Sequence, residues 1–66
     1  MSDDRELLEI QQQLEEIMQR IGRTFNADHP RCNDIYEDVG AAVYYIEQAG
    51  YCLKAVGRKL NIDLKQ

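Results

Sequence analysis

Little in this sequence turns or branches the chain. One proline, Pro30, and four glycines in 66 residues are too few turn formers for a β-rich fold. Two cysteines cannot build a disulfide scaffold, and tryptophan is absent. No apolar run approaches the ~18 residues that would span a bilayer. Positive charge is in deficit: 8 Lys and Arg stand against 12 Asp and Glu, a formal charge of -4. That balance disfavours non-specific attraction to nucleic acid or anionic membrane. The opening MSDDRELLEI is acidic and polar and does not read as a signal peptide. A cytoplasmic protein without membrane association is expected.

What remains is a folded composition, 44% apolar and 30% charged. A chain this short builds a small core by itself, and such chains commonly rely on disulfides, metal or oligomerisation. Cys32 and Cys52 are spaced so that one continuous helix would hold them about 30 Å apart. A disulfide needs Cα atoms within about 7 Å, so two reduced thiols are expected.

Helical periodicity dominates. A first helix is expected over about 3–25, a turn over 26–33 and a second helix over 34–61, with a short tail 62–66 that frays. In the first helix Leu7, Ile10, Leu14, Ile17 and Ile21 recur in steps of three and four, the seam of helices packed nearly antiparallel. Met18 and Phe25 widen that stripe. Ser2 is the expected N-cap, with Asp3, Asp4 and Glu6 at the positive end of the helix dipole. The segment NADHPRCN breaks the period. Pro30 disfavours helical geometry at His29, and Asp34 with Glu37 has the spacing of a capping box. A short connection makes the two helices antiparallel neighbours.

The second helix carries a seam through Ile35, Val39, Ala42, Ile46, Ala49, Leu53, Val56 and Leu60. Beside it run a row of Tyr36, Val43, Gly50 and Gly57 and, on the other flank, Asp38, Tyr45, Cys52 and Lys59. This arc is wider than one facing helix needs. Interior glycines each cost a helix about 1 kcal/mol relative to alanine. Gly50 and Gly57, seven apart on one edge of the seam, are therefore read as a place where another subunit's helix approaches closely. The expected fold is an all-α antiparallel hairpin that self-associates into a dimeric four-helix bundle. Its self-association surface would be Ile35, Val39, Ala42, Ile46, Ala49, Gly50, Leu53, Val56, Gly57 and Leu60.

Catalytic readings are weak. Asp28, His29 and Cys32 offer three ligating side chains around the turn, without the paired spacing of a zinc site and without a further orienting group for a thiol nucleophile. Asp3-Asp4 and Glu15-Glu16 point about 100° apart on a helix and do not converge as a catalytic dyad. There is no glycine-rich phosphate loop. No enzyme, cofactor or metal site is expected.

Two surfaces stand out for macromolecular partners. Tyr44 and Tyr51 lie seven apart on the back of the second helix, with Tyr45 on its flank, and tyrosine is enriched at protein interfaces. Lys54, Arg58 and Lys59 form a basic cluster near the chain end, and Arg20, Arg23 and Arg31 another near the turn. A hairpin dimerising into a four-helix bundle resembles, in architecture and not in any residue motif, the plasmid Rop family of RNA-binding proteins. That resemblance implies contact with RNA or DNA through Lys54, Arg58 and Lys59. The reading taken forward is a small non-catalytic adaptor or regulator that binds another protein through Tyr44, Tyr45 and Tyr51. Small acidic chains of this format occur among bacteriophage and mobile-element modulators, an analogy of format only. Nucleic-acid binding is the alternative.

Overall fold

The computed structural model describes residues 2–62. They form two α-helices, α1 (Asp3–Thr24) and α2 (Cys32–Lys59), packed against each other as an antiparallel hairpin. The tail expected at 62–66 lies outside the described residues beyond Ile62. No described helix is long and apolar enough to cross a membrane.

The first turn of α1 carries Asp3, Asp4 and Glu6 and its last turn Arg23, both complementing the helix dipole. Ser2 occupies the N-cap position with extended backbone but makes no capping bond to the helix. The Ser2 side chain and the Arg5 backbone N–H, which donates to Asp4 Oδ1 at 2.9 Å, hold the Asp4 carboxyl below the usual carboxylate range. The C-terminus of α1 closes on Asn26, whose side-chain amide donates to the Arg23 carbonyl at 2.8 Å.

The turn is organised by its own side chains. The Asp28 N–H donates to Asn26 Oδ1 at 2.8 Å, and the Arg31 N–H to His29 Nδ1 at 3.0 Å. The Phe25 and His29 rings stand 5.5 Å apart. The Cys32 N–H then donates to the His29 carbonyl, which starts α2 two residues before the expected Asp34. The capping box read at Asp34 does not form. Arg31 holds the N-cap position, and the Asp34 carboxylate pairs with its Nε at 2.7 Å. At the other end α2 stops at Lys59, short of the expected 61. Asn61 adopts φ 58, the Ile62 N–H donates to the Gly57 carbonyl at 2.8 Å, and the Asn61 N–H donates to Arg58. This is a complete Schellman closure, with asparagine in the left-handed position usually held by glycine.

The seam itself is displaced from the expected one. On α1 the inward row is Leu7, Gln11, Leu14, Met18 and Ile21; Ile10 and Ile17 are 40% and 41% exposed. On α2 the inward row is Ile35, Val39, Val43, Ile46, Gly50, Leu53 and Gly57, whereas Ala42, Ala49, Val56 and Leu60 are exposed. Gly50 and Gly57 therefore face α1 of the same chain. Gln11 crosses the seam and donates from Nε2 to the Gly50 carbonyl at 3.4 Å, which places residues 11 and 50 within about a turn of one level. Among the described residues only Leu7, at 6% exposure, is a buried hydrophobe. The molecule measures 45 × 18 × 16 Å, the dimensions of a single layer of two helices.

Candidate interaction surfaces

A two-helix layer has two broad sides, and its sequence period says which residues occupy each. One side is marked by an open groove of about 580 Å³, in which Gln12, Glu15 and Gln19 of α1 face Glu47, Tyr51 and Lys54 of α2. These residues lie one step round their helices from the seam. Leu14, Met18, Ile46 and Gly50 form the groove floor. The rim is acidic at Glu15, Glu16 and Glu47, and the Lys54 ammonium lies 5.8 Å from the centre of the Tyr51 ring.

Tyr44 and Tyr51 share a row on this side of α2 and are 55% and 60% exposed. Tyr44 stacks edge-on against Tyr45 at 5.4 Å, and Tyr36 is likewise exposed. All four tyrosines of the chain thus present ring surface outside the hairpin seam. The groove between the helices was not anticipated from the sequence, where Glu15 and Glu16 read only as a pair that does not converge. It becomes visible only when Gln11 is placed in the seam, which turns Gln12 and Glu15 towards α2.

The opposite side is apolar. Ile10 and Ile17 on α1, and Ala42, Ala49 and Val56 on α2, step away from the seam in the direction opposite to the groove residues, so they share one face. Val56 is 42% exposed, and Leu60 continues the row towards the open end of the hairpin. The residues expected to serve self-association are accordingly divided. Ile35, Val39, Ile46, Gly50, Leu53 and Gly57 hold the hairpin together, and Ala42, Ala49, Val56 and Leu60 remain outside it. Tyr45 sits at the edge of this apolar face.

The basic residues do not converge. Lys54 and Arg58, four apart, share the groove side of α2, while Lys59 turns about 100° further towards the apolar side. Arg31 is engaged with Asp34. Cys32 and Cys52 are unpaired. Among the described residues, no three His, Cys, Asp or Glu side chains gather to hold a metal ion, and the His29 Nδ1 is occupied as an acceptor for Arg31. Comparison with protein-family models, curated proteins and solved structures returns no match.

Proposed function

We propose that the protein is a small non-catalytic helical adaptor or regulator that dimerises through its apolar side and binds a protein partner through its tyrosine side. The observation carrying this reading is that the hairpin leaves two dissimilar broad surfaces and almost no interior. A folded domain buries its apolar faces between at least two layers, and this chain supplies only one. Its accessible surface is 5500 Å². A globular monomer of this mass exposes about 4,300 Å². The excess, about 1,200 Å², is larger than the ~800 Å² that one partner loses in a standard protein interface. Stacking two hairpins over Ile10, Ile17, Ala42, Ala49 and Val56 gives a four-helix bundle and leaves Tyr44 and Tyr51 on the outside. There the tyrosines flank a groove with an apolar floor and an acidic rim. That chemistry suits a protein segment with apolar and basic side chains, and its carboxylates oppose nucleic-acid phosphates.

Two measurements test this. Sedimentation equilibrium is expected to give a dimer at micromolar concentration; a folded monomer there refutes the self-association. Affinity capture from the native host with the wild type and with Tyr44→Ala/Tyr51→Ala is expected to lose one protein in the variant while the oligomer is unchanged. Recovery of nucleic acid with steep salt dependence, equal for both, refutes the protein-partner reading.

A further inference from the structure

The apolar side is bordered by charged rows, and their order along the helices specifies how a second copy sits on it. On α1 the border row is Glu6, Gln13 and Arg20, and on α2 it is Asp38, Tyr45, Cys52 and Lys59, each stepping by seven. All of these charged residues are exposed, and the single ion pair among the described residues is Arg31 with Asp34. Each border row reverses its charge from one end to the other. Run antiparallel against its own copy, the α1 row brings Glu6 to the copy's Arg20, centred on Gln13. Treated in the same way, the α2 row brings Asp38 to the copy's Lys59, centred between Gln48 and Ala49.

The inner rows have centres within half a residue of these. Ile10 meets the copy's Ile17 about a point between Gln13 and Leu14, and Ala42 meets the copy's Val56 about Ala49 itself. One two-fold axis can satisfy both helices only if these two centres lie at one height in the hairpin. The Gln11 to Gly50 hydrogen bond limits that height independently: residues 11 and 50, and with them 13 and 48, lie within about a turn of one level. The two centres therefore fall within about one helical turn of each other, ~5 Å along the axis.

From this coincidence we infer that the partner on the apolar side is a second copy of this chain, stacked with its turn at the opposite end, about a two-fold axis perpendicular to the helices. α1 then lies on α1 of the copy and α2 on α2, all neighbours antiparallel, with the paired Ala49 residues next to the axis. The alternative two-fold, parallel to the helices, sets turn beside turn and faces α1 with the copy's α2. It brings Arg20 near Asp38 and Glu6 near Lys59. Those two pairs require registers seven residues apart, so no single register aligns both. The inference rests on the self-association proposed above and adds its geometry.

The two arrangements are separated by a charge exchange. Glu6→Arg alone sets like charges together twice per dimer and is expected to raise the dimer dissociation constant by about ten-fold. Glu6→Arg/Arg20→Glu restores both pairs in the antiparallel arrangement and is expected to return the constant to the wild-type value. A double variant weaker than either single one overturns the antiparallel geometry, because the parallel dimer would meet Lys59 and Asp38 with like charges. Independently, Ala49→Cys in a Cys32→Ser/Cys52→Ser background is expected to oxidise to a covalent dimer, and Gln13→Cys to do the same. Dimers that fail to cross-link at both positions also overturn it. A wild-type chain that stays monomeric refutes the proposed self-association itself, an outcome distinct from either of these.

Discussion

Gly50 is the position where the displaced seam makes its sharpest demand. Were it the contact point for a closely approaching helix, any side chain there would force the helices apart. In the structure Gly50 is half-buried and faces α1, yet a methyl group built on it meets nothing within 4 Å. Gly40, exposed on α2, is equally open. Replacing a helix-interior glycine by alanine removes unfolded-state freedom and gains about 0.8–1 kcal/mol. For a chain of this size that gain raises the melting temperature by roughly 4–8 °C. Gly50→Ala and Gly40→Ala are thus expected to stabilise the protein by similar amounts, with the Gln11 bond to the Gly50 carbonyl retained. Thermal unfolding followed by circular dichroism is the assay, at matched protein concentration because a dimer melts concentration-dependently. A lower melting temperature for Gly50→Ala beside a higher one for Gly40→Ala would refute the open packing described for this turn of α2.

Leu7→Ala removes the one buried hydrophobe of the described chain and is expected to destabilise it by about 2–5 kcal/mol, enough to unfold much of the population in denaturant titration. Gln11→Ala deletes a long, part-buried hydrogen bond and is expected to cost about 1 kcal/mol or less; a larger loss would mean that the bond is a principal tie between the helices. Asp4, held below the usual carboxylate range by Ser2 and Arg5, contributes stability that is present above the unfolded-chain pKa and lost as pH falls through the lower folded value. Ser2→Ala is expected to move the Asp4 titration upward in carbon-detected NMR.

Both helices and their antiparallel pairing were legible because the three-and-four spacing persists along each of them, and the charge bias at each end agrees with it. The seam's exact row was not. On α1, counting only apolar residues favours Ile10 and Ile17 over Gln11 and Met18, but glutamine can enter a seam when its amide finds a carbonyl, as it does at Gly50. On α2 two adjacent rows are both weakly apolar, Ala42-Ala49-Val56 and Val43-Gly50-Gly57, and hydrophobicity alone does not choose between them. The turn was hidden for a different reason. His29 Nδ1 and Asn26 supply local bonds that compete with the capping expected of Asp34. The tyrosine surface was visible as residues, but the groove beside it depended on the rotation of α1.

That rotation also bears on function. Turning α1 to bury Ile10 and Ile17 would draw them into the seam, and the hairpin would have one apolar row and no second surface. The structure keeps them outside, aligned with the exposed small row of α2, so their role can be tested apart from that of the seam. Ile10→Gln/Ile17→Gln keeps Leu7, Leu14, Met18 and Ile21 in place and removes only the outward apolar groups. The wild-type melting temperature is expected to rise with protein concentration, as it must when association stabilises the fold. In the variant it is expected to be lower and independent of concentration. This readout holds whether or not the isolated hairpin is stable, since it measures the coupling of folding to association. A variant whose melting temperature still climbs with concentration would show that dimerisation uses another surface, and the apolar side would lose its assigned role.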